Sequence, residues 1–160
     1  TSIAFFAWDP DVDMEYYLVV WEGSLTDNEW IVAPLAPDVT AYSWNEYTLP
    51  TQVPVNTTKD LWFGVYVVNQ PEGIYPLGVD VGPVADPFYS DLYSPDEGDT
   101  WVSLSNEYQI NKNWVIKGYV TNQKGEEYSI GYGGVTPVER PPMKRNAKPA
   151  SASESKIIKK

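Results

Sequence analysis

Apolar positions along this chain recur with a period of two, the spacing at which successive side chains of a strand point to opposite faces. In residues 61–68, Val65 and Val67 fall on one side and Tyr66 and Val68 on the other. Residues 114–121 place Trp114, Ile116, Gly118 and Val120 at alternate positions. Residues 42–49 set Tyr42, Trp44, Glu46 and Thr48 against Ser43, Asn45, Tyr47 and Leu49. Two apolar runs, 2–8 and 14–21, end at Asp9-Pro10 and Glu22-Gly23, residue pairs that favour turns. Residues 30–35 give a weaker strand signal, because Pro34 removes a ladder donor. The turn Asn122-Gln123-Lys124-Gly125 returns 127–132 onto 114–121 as a hairpin. Shorter strands are expected at 78–81, inside the Gly- and Pro-rich stretch 70–87, and at 101–104, after the polar, acidic stretch 91–99. No window of 11 residues carries a helical period. Eight or nine short strands at this spacing predict an all-β fold, an antiparallel two-sheet sandwich that is jelly-roll-like.

Composition supports that prediction and then narrows the chemistry. The seven Trp and twelve Tyr favour strands, and 14 Pro with 11 Gly favour many turns. The 160 residues suit one domain with an appendage. A domain of about 140 residues buries about two thirds of its unfolded surface and needs no covalent staples. Cysteine is absent, which excludes disulfides, thiolate zinc sites and a cysteine nucleophile. Histidine is absent too, so a Ser-His-Asp triad has no imidazole base and zinc catalysis loses its usual ligand. The longest apolar run, 61–68, is broken by Gly64 and is too short to span a bilayer. No signal peptide is visible at Thr1, so the chain reads as cytoplasmic or already mature.

Charge divides the chain in two. Residues 1–138 carry four lysines against twenty acids, a net of −16, and residues 139–160 carry a net of +5, which together give −11. The boundaries that follow are an acidic β-sandwich domain at 1–138 and a basic Pro/Ala/Ser/Lys linker at 139–160. The acidic body excludes nucleic acid as a partner, since phosphate contacts need Lys and Arg in number. The tail, with Pro141, Pro142 and Pro149 among its basic residues, buries little and reads as an interdomain connection; a functional basic patch is the competing reading. Ile157-Ile158 fits the opening of a strand in a following domain.

Three groups of side chains are candidates for chemistry. Asp9, Asp11 and Asp13 alternate before Glu15, and oxygen ligands at alternate loop positions can converge on Ca²⁺. The loop lacks the sixth-position glycine and twelfth-position acid of an EF-hand, and a solvated acidic turn is the alternative. Asp80, Asp86, Asp91, Asp96, Glu97 and Asp99 crowd the long connection; Asp80, between Gly78 and Gly82, reads as a cap for turn amides. Phe88, Tyr89, Tyr93 and Trp101 surround the same acidic loop. Aromatic faces beside carboxylates suit a sugar ring, and the competing reading makes these rings a plug on the end of the core. Trp44, Trp62 and Trp114 sit inside strand patterns and are assigned to the core. No catalytic residue is assigned: phosphate loops and nucleophile elbows are missing, and twenty acids make paired carboxylates an empty signal.

Three segments resemble a known family. They are Lys59-Asp60-Leu61-Trp62-Phe63-Gly64-Val65, then Tyr75-Pro76-Leu77-Gly78-Val79-Asp80-Val81-Gly82-Pro83, then Asn113-Trp114-Val115-Ile116-Lys117-Gly118-Tyr119-Val120. In this order they resemble a β-sandwich accessory domain of secreted Bacteroidetes surface proteins, found beside adhesin-like and fibronectin-type-III-like modules and often attached to secreted peptidases. The resemblance covers residues 14–121. It implies a secreted or outer-surface location, neighbouring domains in the same polypeptide, further strand sequence ahead of Thr1, and no established catalytic residues. The function expected is a non-catalytic extracellular binding or adhesion module, with a glycan or a host surface protein as partner. The alternatives are a spacer that positions a neighbouring peptidase and, more remotely, a carboxylate glycosidase.

Overall fold

A computed structural model describes residues 2–11, 13–25, 30–35, 38–84, 89–131, 136–137 and 156–158. The strands are β1 (Ser2–Ala7), β2 (Glu15–Glu22), β3 (Trp30–Leu35), β4 (Ser43–Thr48), β5 (Leu61–Val68), β6 (Leu92–Tyr93), β7 (Val102–Ser103), β8 (Ile116–Thr121), β9 (Glu127–Gly131), β10 (Thr136–Pro137) and β11 (Lys156–Ile158), with one short helix, α1 (Leu104–Tyr108), after β7. They form a five-stranded sheet in the order β10-β9-β8-β1-β4, a four-stranded sheet in the order β11-β3-β2-β5, and the pair β6-β7. Every strand pairing is antiparallel. The fold is mostly β.

Period-two patterning decides what each sheet buries. From β1, Ile3, Phe5 and Ala7 enter the core, and from β2, Tyr16, Leu18 and Val20 meet them, so one apolar cluster draws on both large sheets. The Phe5 ring lies against Tyr16 at 5.9 Å and against Tyr47 at 6.2 Å, stacked in both cases. The other face of β2 is buried as well: Val19 and Trp21 pack beneath Tyr17, Leu25, Trp62, Tyr66 and Trp101. Burial on both faces explains why β2 reads as a continuous apolar run rather than an alternation. Register then sets ring against ring, with Trp21 opposite Trp62 and Tyr17 opposite Tyr66 across β2 and β5.

Four local features differ from the sequence reading. Residues 101–104 hold only a two-residue strand before α1 begins. The Ser103 hydroxyl accepts the Asn106 amide at the helix N-terminus, and Gln109, at φ 57°, closes the other end. A five-residue helix is too short to carry a period that the sequence could reveal. In place of the expected strand at 78–81 there is one isolated bridge, Val79 to Trp114, preceded by another from Leu77 to Ala7. Leu92 and Tyr93, inside the stretch read as a polar loop, pair with Ser103 and Val102. Lys156–Ile158 is a strand, and where Ile157-Ile158 were expected to open a following domain it pairs with β3 at the edge of the four-stranded sheet.

Candidate functional site

Of the expected aromatic cluster, Tyr89 and Trp101 join Trp21 and Trp62 in a stack over the outer face of β2 and β5. Trp101 lies 5.5 Å from Trp21, Trp21 lies 6.0 Å from Trp62, and Trp62 lies 5.3 Å from Tyr89, with interplanar angles of 27°, 15° and 10°. The Trp101 indole donates to the Leu25 carbonyl at 3.1 Å and the Trp62 indole to the Gly23 carbonyl at 2.8 Å. Trp101 therefore acts as a lid on buried Trp21, while Tyr89 and Tyr93 at the margin remain exposed. Phe88 and Asp86 lie outside the described residues.

The acids of this connection are engaged in holding it down. Asp91 is fully buried, and its Oδ2 accepts the hydroxyls of Ser103 (2.6 Å) and Ser105 (2.7 Å) and the Ser105 amide (3.0 Å). Asp96 accepts the Thr100 amide and hydroxyl and the Ser94 hydroxyl. The Thr100 hydrogen bonds, backbone first, hold its carboxyl below the usual range. Asp80 Oδ1 accepts the amides of Gly82 and Asn113, both at 2.8 Å, and its Oδ2 accepts the Asn113 side chain at 2.7 Å. Burial pushes the Asp80 pKa upward, and the hydrogen bonds from Asn113 and Gly82, with the charge of Lys112, together outweigh it and bring the pKa down. Asp11 accepts the Asp13 amide at 3.2 Å in an exposed turn. Among the described residues no group of three or more carboxylates that could hold a metal ion is gathered, at Asp9, Asp11 and Asp13 or elsewhere.

A second aromatic group stands on the outer face of the five-stranded sheet, where the sequence reading assigned none. Pairing sets Phe6 opposite Trp44, and sets Ala4 opposite Glu46 on one side and Lys117 on the other. Paired residues share a face, so Phe6, Trp44, Glu46 and Lys117 emerge on the side away from Ile3 and Phe5. Trp8 and Tyr42 extend the row beyond the strand ends. Phe6 meets Trp44 edge-on at 6.2 Å and Trp8 at 6.5 Å, and Trp8 meets Tyr42 edge-on at 5.7 Å. The Lys117 ammonium lies 5.3 Å from the centre of the Trp44 ring. Phe6 is the floor: a Cβ added at Gly78 would sit 3.0 Å from its ring. The rings above it face solvent, with Trp8 52% exposed, Tyr42 64% and Trp44 43%. Tyr42 holds a left-handed backbone, φ 53°, which is costly for a bulky side chain without a Gly or Asn backbone preference.

Trp44 is thus a surface residue, against its assignment to the core. Alternation puts Tyr42, Trp44 and Glu46 on one face but does not say which face is inward. Here the inward positions are Asn45 and Tyr47. Asn45 is buried, with its amide group bonded to the Thr40 amide and carbonyl and to the Ser43 carbonyl. The available clue was Leu49, which shares the face of Asn45 and Tyr47 and is buried, while the face of Trp44 ends in Glu46 and Thr48.

Comparisons with protein families, with curated proteins and with solved structures find no match to this chain.

Proposed function

We propose that this chain is a non-catalytic binding or adhesion module of a larger secreted or outer-surface bacterial protein, with a sandwich of jelly-roll type as its scaffold. The observation that carries this reading is the exposed row of Trp8, Tyr42 and Trp44. Single surface aromatics need no explanation, but three adjacent rings kept in water form a contact surface that burial in a complex would stabilise. The resemblance of three segments to an accessory domain of Bacteroidetes surface proteins supports the location. A chain without histidine or cysteine lacks both the commonest activating base and the thiol nucleophile, which supports a module over an enzyme. Sandwich architecture is supported by the core cluster shared between the two large sheets.

The test is a binding screen of the purified chain on glycan and matrix-protein arrays. Binding is expected to fall with Trp8→Ala and Trp44→Ala, and melting temperature to change little, because both rings are largely solvated. Binding that survives both substitutions moves the site elsewhere. Silence on every array supports the spacer reading in which the domain only positions a neighbour.

A further inference from the structure

We infer that the face bearing Trp8, Tyr42 and Trp44 takes an uncharged polysaccharide built of pyranose rings with equatorial hydroxyls. The inference rests on that face being the contact surface and adds the chemistry of the ligand. Three observations carry it.

The first is the make-up of the face. Its exposed apolar groups are all aromatic: Trp8, Tyr42 and Trp44, over the half-buried Phe6. Several neighbouring positions on the same face, Glu46, Thr48, Lys117 and Tyr119, end in hydrogen-bonding groups, while Ala4 between them is buried. Protein interfaces are rich in Tyr and Trp too, but Lys and Glu are depleted from them, whereas here Glu46 and Lys117 stand beside the rings. Indole and phenol rings bordered by polar groups suit a ligand that alternates C–H faces with hydroxyls. A pyranose with equatorial hydroxyls offers such a C–H face to a ring and its hydroxyls to the border.

The second is extent. The rings form a two-by-two patch, Phe6 and Trp8 beside Trp44 and Tyr42, with neighbouring centroids 5.7 to 6.5 Å apart. An open patch of several rings can meet adjoining units of a chain, whereas a lone sugar would need an enclosing pocket. A cavity among the described residues lies on the opposite, core side, lined by Ile3, Val20, Leu61 and Phe63, whereas Trp8, Tyr42 and Trp44 face solvent.

The third is charge. The chain is at −11, and the cation of this face, Lys117, is already placed over the Trp44 ring. Glu46 stands at the same level of the sheet. Uronate- or sulfate-bearing chains would approach a body in which residues 1–138 hold four lysines against twenty acids, so neutral chains are preferred on this face.

Affinity gel electrophoresis tests this directly. The full chain is run through gels cast with hydroxyethyl cellulose, galactomannan or xyloglucan, and through gels with polygalacturonate or hyaluronan. Retardation is expected in at least one neutral gel and in neither anionic gel, unchanged between about 0.05 and 0.5 M salt because no ion pairs are involved. Trp8→Ala and Trp44→Ala are each expected to weaken it by roughly tenfold in Kd, while Tyr93→Ala leaves it intact. Mobility unaffected by every neutral polysaccharide overturns the inference, as does retardation confined to the anionic gels. If a protein on the matrix array is bound instead, and Trp8→Ala abolishes that binding, the inference fails while the contact surface stands. If Trp8→Ala and Trp44→Ala alter neither glycan nor protein binding, both fail.

Discussion

Single residues in this protein divide into those that hold the fold and those that face outward unused by it. Asp91 belongs to the first kind. Its carboxylate collects two serine hydroxyls and an amide in a site without solvent. Asp91→Ala would leave those donors without this acceptor and is expected to cost about 2–4 kcal/mol, read as a lower urea midpoint at constant slope. Ser105→Ala removes one hydroxyl and is expected to cost about 1 kcal/mol in the same assay. Tyr16 gives a pH signature. Burial, and secondarily the charge of Asp9, push its phenol up to about 12 from an ordinary 10. The folded state therefore keeps the proton after the unfolded state has lost it. The stability this group contributes is fully present below pH 10 and is lost between about pH 10 and 12. Base denaturation followed over that range should be shallower for Tyr16→Phe than for the native chain. An equal slope in both would remove Tyr16 as the cause. Asp91 was visible in the sequence only as one acid of many. Nothing in the sequence marked it for burial, because its partners Ser103 and Ser105 are brought to it by α1 and β7, elements too short to leave a periodic trace.

At the scale of elements, alternation predicted the long strands and left open which face was inward. β1, β2, β4, β5, β8 and β9 lie within a residue or two of the expected segments, because each is long enough for a period of two to repeat. β4 shows the limit. Its pattern is aromatic and polar on both faces, and the tertiary setting, with Asn45 bound to Thr40, turned Trp44 outward. The second aromatic group was therefore present in the sequence as residues but not as a site. Glycines at strand ends offer a paired test of how tightly the sheets are packed. At Gly131, φ is 102° and a Cβ would sit 2.8 Å from the Ile116 carbonyl and 2.9 Å from the Phe63 ring. At Gly125, φ is 84° and nothing lies within 4 Å. Gly125→Ala is expected to cost about 1 kcal/mol, for the left-handed backbone alone. Gly131→Ala should cost at least about 2 kcal/mol, since the neighbours must also shift. Thermal melts of the two variants give the comparison; equal shifts would mean that the crowding at Gly131 relaxes freely.

The whole molecule places its two aromatic groups on opposite duties. Trp21, Trp62, Trp101 and Tyr89 stack as a cover over the four-stranded sheet, fixed by indole hydrogen bonds to Gly23 and Leu25. Trp8, Tyr42 and Trp44 lie in the open over half-buried Phe6 on the other large sheet. Sequence reasoning found the aromatic wealth and the acidic body, and it looked for the ligand where aromatics and acids are adjacent in the chain. Sheet pairing brings residues 6 and 8 beside 42 and 44, a contact made by register and invisible in linear order. The account therefore turns on which tryptophans a ligand touches. The most direct measurement is a ¹H–¹⁵N spectrum of the indole groups during titration with oligosaccharides cut from the neutral polysaccharide that retards the chain. The signals of Trp8 and Trp44 are predicted to move, with those of Trp21, Trp62, Trp101 and Trp114 unchanged. Movement of Trp62 and Trp101 with Trp8 and Trp44 still would contradict the account and return the site to the loop around Tyr89.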